Sequence, residues 1–373
     1  MRIVIVSGTV YPHISARAFR ATELAKGLAR MGHDVILYAI LGEYDYSGFE
    51  RETGVKVRSL GKSHFGNYDS DGKCNWTFGH RVLKRLLYNV IDYPRCEYLF
   101  KTYKVLCREQ PFELLITVAH PFGIHWGAAF FKKKHPGLFK AWISDCGDPF
   151  MGNPHDRRWK LFLKPLECFW GRQTDLISIP VENGKTGYYE EFRDKIVVIP
   201  QSVDFDSVQL DEYKGNMVPT FLYAGTVYPG IRNPREFLEY LYEKGIDFKF
   251  YVFTPDDVVF EDFKEKLGER LEIRRFVPRS ELLRMMGGMD FLVNINNESA
   301  VQTPSKLIDY GLSRRPILNV SSHLTEQEKA SIDAFLQGDY SSSFVVPDLE
   351  QYDTKNVCRR FMDAYERIVA LAK

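Results

Sequence analysis

The sequence predicts an α/β protein built from two doubly wound parallel-sheet domains. Three observations lead there. The chain has 373 residues, more than one ordinary hydrophobic core accommodates. Short β-branched runs recur between helical stretches, in two separate series. Most of these runs are apolar throughout rather than alternating, as strands covered on both faces must be.

The first series comprises Ile3–Val6, Val35–Ile40, Leu114–Val118, Ala141–Ser144, Leu176–Ile179 and Ile196–Ile199. The second comprises Phe221–Ala224, Phe248–Phe253, Phe291–Ile295, Ile317–Val320 and Phe344–Val346. Each series predicts one Rossmann-like unit, residues 1–200 and 201–352, with the polar stretch Ser207–Pro219 as linker. A helix is expected from about Ser15 to Met31, with Ala18, Ala21, Leu24, Ala25, Leu28 and Ala29 as its apolar stripe and Gly32 closing it. Residues 353–373 form a further helix, with Val357, Phe361, Ala364, Tyr365, Ile368 and Leu371 at helical spacing.

Composition narrows the function classes. A hydrophobic fraction of 45% and a charged fraction of 27% belong to a globular protein. The net charge of +1 gives no support to nucleic-acid binding. The cysteines are scattered without metal-type spacing and read as reduced cytoplasmic thiols. The opening Met1–Ser7 reads as a strand rather than a signal peptide. No run of about 18 apolar residues spans a membrane. The turn after the first strand lacks G-x-G-x-x-G, which argues against a dinucleotide-dependent dehydrogenase.

The chemically richest segment is Gln302 to Gly311, with Pro304-Ser305-Lys306 followed by Asp309. Proline suits the first turn of a helix. Free backbone N–H groups from Ser305 onward and the Lys306 charge favour an anion, phosphate above all. Asp309, one turn later, can accept hydrogen bonds from paired hydroxyls such as those of a ribose. The alternative is an ordinary capped helix.

With these residues in view, the chain resembles the retaining glycosyltransferases of the GT-B fold, family 4 and its close relatives. The resemblance runs through Arg2–Ser7, Arg20–Ala25, Gly32–Val35, Ile143–Phe150, Ile199–Asp204, Phe221–Thr226 and Asp290–Pro316, in the expected order. It implies two domains facing across a cleft, the first binding acceptor and the second the nucleotide-sugar. It also implies that the helix of residues 353–373 crosses back toward the first domain. The reaction implied is transfer of a sugar from a nucleoside-diphospho-sugar, UDP- or GDP-linked, to an acceptor hydroxyl with retained anomeric configuration. No cofactor and no metal are expected. Accordingly Asp69-Ser70-Asp71 and Asp204-Phe205-Asp206 are not read as metal sites.

The resemblance also assigns roles. Arg232 stands where the family carries a phosphate-binding lysine, and His120 where it places a histidine against the transferring sugar. His120, Arg232 and Lys306 are therefore the expected catalytic set. Donor contacts are expected from Gly8, Ala16, Gly225, Thr226, Asn296, Asn297, Gln302, Thr303, Pro304, Ser305 and Asp309. Tyr11, Arg17, Arg20 and Asp148 are expected at the acceptor. The chain departs from the family at Thr226, where a second basic residue is common. It departs again at Val301, where the first acid of E-x7-E would fall, and at Ser15-Ala16, where paired glycines are usual. The Pro-Ser-Lys pattern resembles a subgroup used in bacterial surface-polysaccharide assembly.

Three stretches mix basic and aromatic residues: Arg81–Arg95, Phe130–Lys140 and Arg157–Arg172. A basic, aromatic face can lie on anionic lipid. They suggest peripheral contact of the first domain with the cytoplasmic membrane face and a lipid-linked or glycan acceptor. Two other readings stay open: a nucleotide-sugar epimerase, and a catalytically inactive subunit that binds nucleotide or a partner.

Overall fold

The computed structural model describes all residues except 63–77, 154–162, 228–231, 256, 276, 297–305 and 373, and gives residues 78–81 and 84 by backbone alone. It divides into two compact units, Met1–Val203 with Gln351–Lys373, and Asp204–Glu350.

The first unit runs β1 (Arg2–Ser7), α1 (Ala16–Arg30), β2 (Asp34–Ala39), α2 (Ser47–Thr53), β3 (Lys56–Ser59), α3 (Phe78–Ile91), α4 (Glu97–Leu106), β4 (Phe112–Val118), α5 (Gly123–Lys134), β5 (Phe139–Asp145), α6 (Lys164–Gln173), β6 (Leu176–Ile179) and β7 (Ile196–Val198). Its strands form one parallel sheet in the order β3-β2-β1-β4-β5-β6-β7. β1 lies centrally, with Val4 opposite Ile36 on one side and Leu115 on the other. Strand alternation sends Ile3 and Ile5 into one core layer and Val4 and Val6 into the other. That is why β1 is apolar at every position.

The second unit runs β8 (Thr220–Ala224), α7 (Arg235–Lys244), β9 (Lys249–Phe253), α8 (Glu261–Leu267), β10 (Leu271–Arg274), α9 (Arg279–Gly287), β11 (Phe291–Ile295), α10 (Lys306–Leu312), β12 (Ile317–Val320) and α11 (Glu326–Leu336). Its parallel sheet has the order β10-β9-β8-β11-β12. A stack of phenylalanines fills one side, with the Phe221 and Phe291 rings 4.5 Å apart.

The chain then returns to the first unit as α12 (Thr354–Leu371). Its apolar stripe joins the core layer of α1. The two helices meet at Gly27, where a Cβ would lie 2.5 Å from Cys358 Sγ and 2.6 Å from Thr354 Cγ2. Glycine inside a helix costs about 1 kcal/mol relative to alanine. Here it permits a contact that no other residue allows. Leu371, counted in the stripe, is exposed at the helix's final position.

The structure corrects two expectations and adds two strands. Phe344–Val346 is not a strand: Phe344 N–H donates once to Ile317 C=O, at 2.9 Å, and Val345 faces solvent. β3 and β10, at sheet edges, were not legible as apolar runs because each holds few apolar residues, KVRS and LEIR. Of each, only one residue is buried, Val57 and Leu271. The stretch Ser207–Pro219 is not a free linker but is tied to the second unit, with Asp211 paired to Arg284 at 3.0 Å. Among the described residues no helix is long and apolar enough to cross a membrane.

Candidate active site

Ligands of doubly wound sheets bind beyond the carboxyl ends of the strands. In the second unit β8 ends at Ala224, and the following Gly225 adopts φ +145°. A Cβ there would lie 3.6 Å from the Lys306 side chain and 3.8 Å from Arg232 Nη1. Gly225, Arg232 and Lys306 therefore converge. Arg232 Nη1 donates to the Thr226 carbonyl at 3.2 Å, so the backbone of Thr226, rather than its hydroxyl, orients the guanidinium.

Lys306 has an unusual setting. The residue as a whole is half-buried, but Nζ is sealed from solvent and has no hydrogen-bond partner among the described residues. It lies 4.4 Å from the Tyr223 ring centroid and 5.9 Å from that of Tyr310. Tyr310 is itself pinned, its hydroxyl donating to Val293 C=O at 3.1 Å and accepting from Ala224 N–H at 2.9 Å. Burial, reinforced by the like charge of Arg232, pushes the Lys306 ammonium well below its ordinary range. A buried amine facing a guanidinium and two aromatic rings is a site whose charged form an anion would favour.

Asp309, expected at the ribose, is paired in the second unit. Its Oδ1 takes hydrogen bonds from both Nε (2.9 Å) and Nη2 of Arg279, at the start of α9. Asn296 follows β11, and its Oδ1 accepts from Asn294 Nδ2 at 3.0 Å. Asn297, Gln302, Thr303, Pro304 and Ser305 lie outside the described residues, as does the Val301 position.

In the first unit, β1 gives way to Gly8, which packs against the turn after β4. A Cβ on Gly8 would stand 2.6 Å from Pro121 Cδ and 3.1 Å from the His120 carbonyl. Only glycine lets the two strand ends come this close. His120 sits edge-on to Phe122, with centroids 5.1 Å apart. Behind them lies His125, fully buried. It is hydrogen-bonded to Thr117 Oγ1 at 2.7 Å and to Cys146 Sγ at 3.4 Å, and stacked on Trp170. Burial pushes the His125 imidazole down to about 3, Asp145 opposing and His120 adding to the effect, so it is a neutral support.

Ser15 caps α1 by accepting from Ala18 N–H at 3.1 Å, which leaves Ala16 and Arg17 as the preceding first-turn amides. The Arg17 guanidinium lies over Gly147, 2.6 Å from where a Cβ would be, and 3.7 Å from Asp145. Asp148 is exposed beside it. Tyr11, 46% exposed, stacks on Phe49 and meets Tyr44 edge-on. Tyr44, also exposed, extends this aromatic surface, and the sequence reading did not single it out.

Arg20 requires a correction. Expected at the acceptor, it is 2% exposed. Its guanidinium forms a two-pronged pair with Asp145, at 3.2 and 2.9 Å, and also donates to the carbonyls of Ile199 and Pro200. It is a structural tie rather than a ligand contact. Asp145, its partner, had a legible sign, a carboxylate closing an apolar strand.

No family model and no curated protein matches the sequence. Solved structures match over nearly the whole chain. The apo lipopolysaccharide outer core galactosyltransferase WaaB is 11% identical, covers 98% of this chain and 99% of its own, and has a TM-score of 0.56. HepE of Anabaena, solved with UDP, is 9% identical over 98% of this chain and 100% of its own, TM-score 0.59. A TarM variant from S. aureus, solved with fondaparinux, alpha-GlcNAc-glycerol and UDP, is 9% identical over 98% and 99%, TM-score 0.54. The chain has the GT-B fold, two parallel-sheet α/β units in one polypeptide.

Proposed function

We propose that this protein is a glycosyltransferase that moves a sugar from a UDP-linked donor to an acceptor hydroxyl, with retention and without a metal. The observation that carries it is the meeting of Lys306 and Arg232 at Gly225: the two basic side chains converge, and Nζ of Lys306 is sealed from water. In the reaction the bond from the anomeric carbon to the diphosphate oxygen breaks and one to the acceptor oxygen forms. The acceptor gives up its proton. Charge collects on the departing diphosphate, and fixed cations at that point lower the barrier. Arg232 grips phosphate oxygens in two directions, and Lys306 supplies a point charge.

The remaining assignments extend this reading. Gly225, Thr226, Asn296, Asn297 and Gln302 through Ser305 line the donor, with Asp309 at the ribose beside Arg279. Gly8, Ala16 and His120 face the transferring sugar, His120 as hydrogen-bond partner or proton relay. Tyr11, Arg17 and Asp148 meet the acceptor, a glycan or lipid-linked intermediate of surface-polysaccharide assembly. UDP in the HepE and TarM structures supports uracil as the base.

Thermal unfolding with UDP, GDP, dTDP, ADP and CMP, each with and without EDTA, tests the donor. A ligand held only by the folded protein stabilises it by about 2.7 kcal/mol at a hundred times its dissociation constant. UDP is expected to raise the melting temperature with EDTA present. No rise with any nucleotide would remove this assignment and favour a subunit that only supports a partner.

His120 is tested separately, by UDP release from a panel of UDP-sugars. His120→Ala should lower the rate by roughly 10²–10⁴-fold while keeping the UDP melting shift. Unchanged turnover would take His120 out of the chemistry. The anomeric configuration of the product, read by NMR, decides retention.

A further inference from the structure

Helix α3 is the most anomalous surface of the first unit. Its sequence, FGHRVLKRLLYNVI, holds Arg81, Lys84 and Arg85 and no carboxylate. At 100° per residue, positions 82, 86, 90, 83, 87 and 91, all Val, Leu or Ile, share one half of the helix with Gly79 and His80. Positions 84, 88, 81, 85 and 89 share the other half with Phe78. A stripe of this kind normally faces a core. Here Val82 is 53% exposed, Leu83 52% and Leu86 58%. The next helix, α4, is docked on α5 through Gly123 and Gly127 but also turns Phe100 outward, 73% exposed.

The other two basic, aromatic stretches behave differently. Phe139 and Trp170 are core residues, and Phe130 packs on Phe169 with ring centroids 4.7 Å apart. Residues 157–162 lie outside the described residues; of those described, Phe130 and Phe169 join α5 to α6. Among the described residues, α3 is the basic stretch whose apolar side is left in solvent.

We infer that α3 lies in the surface of an anionic lipid membrane, its Val82–Leu83–Leu86 side among the acyl chains and its basic side at the headgroups. Charge decides the occupant. An apolar half alone would suit a second copy of this chain or another protein. An apolar half beside a half that carries cations without a single carboxylate matches a negatively charged headgroup layer. The inference rests on the membrane-acceptor part of the function proposed above, and it brings the first unit to where a lipid-linked acceptor would be.

The test is co-sedimentation of the full chain with vesicles of phosphatidylcholine alone or mixed with phosphatidylglycerol. Protein should partition to the mixed vesicles and bind the neutral ones about tenfold more weakly or less, with high salt reducing the difference. Leu83→Ser with Leu86→Ser should lower partitioning to mixed vesicles by about tenfold or more. Arg85→Glu should lower it too, with melting temperature unchanged in both variants. Equal sedimentation of the wild type and the leucine variant would overturn the inference, as would no binding to either vesicle. So would a dimer in light scattering that the leucine variant abolishes, since a second copy would then cover the face. The UDP melting shift, read on the same samples, reports the second unit alone and separates failure of the docking face from failure of the nucleotide site.

Discussion

Lys306→Met should make the ligand-free protein more stable and UDP binding much weaker. The two effects have one cause. Nζ is sealed without a hydrogen-bond partner among the described residues, next to a second cation. A buried unsatisfied polar group costs about 1–3 kcal/mol, so an apolar chain of similar length should recover on the order of that amount. Urea denaturation would read it as a higher midpoint. Binding moves the other way. Charge-assisted hydrogen bonds to phosphate contribute about 1.5–3 kcal/mol, and their loss should raise the UDP dissociation constant roughly 12- to 150-fold. A variant that is less stable and binds UDP normally would show that Lys306 is only packing against Tyr223.

The same lysine gives UDP binding a pH signature. Its folded-state value lies below the unfolded value of about 10.4. Between those two values the unfolded chain holds the proton that the folded protein has released, so ligand-free stability rises with pH across that window. A diphosphate beside Nζ restores the ammonium. UDP binding should therefore take up a proton there, and its affinity should fall as pH rises. Calorimetry in buffers of differing ionisation enthalpy would read the uptake. Heats independent of the buffer, or identical in Lys306→Met, would remove Lys306 from the phosphate contact.

How much of this was legible in the sequence depends on the range of each interaction. β1 declares itself because a strand covered on both faces must be apolar at every position, and Ile3–Val6 is. β3 and β10 do not, because each buries a single residue, and KVRS and LEIR look like loop. Lys306 stood out because its signal is local, a basic residue following Pro-Ser. The carboxylate of Asp309 stood out equally, but its partner Arg279 is thirty positions earlier, and helical periodicity carries no information at that range. The basic and apolar halves of α3 can be read off its spacing. That its apolar half meets solvent cannot, since exposure depends on what else packs there.

Arg20 is the plainest case of a residue type read correctly and a setting read wrongly, and its removal should cost the first unit several kcal/mol. A lone arginine on a helix is usually solvated. This one reaches from α1 to Asp145 at the end of β5 and to the carbonyls of Ile199 and Pro200 beyond β7, and it lies 5.2 Å from the Phe361 ring centroid of α12. Burial alone would push the Asp145 carboxyl up. The charge and hydrogen bonds of Arg20, with Arg17 and the Ser178 hydroxyl, outweigh it and hold the group below the usual carboxylate range. Arg20→Leu leaves that carboxylate buried with Ser178 and a more distant Arg17. Breaking one side of such a pair costs about 3–5 kcal/mol, a fall in melting temperature on the order of 10 °C for a unit of this size. Replacing both partners with leucine should recover most of the loss, because no unpaired charge then remains. Acid should mimic the single variant. With the folded value of Asp145 depressed, its contribution is complete above the unfolded value of about 3.9 and disappears as pH falls through the folded one. Urea titrations of the wild type, both single variants and the double variant close the cycle. A single variant that loses under about 1 kcal/mol, or a double variant no better than the single one, would mean that Arg20 is held by its surroundings and does not hold them.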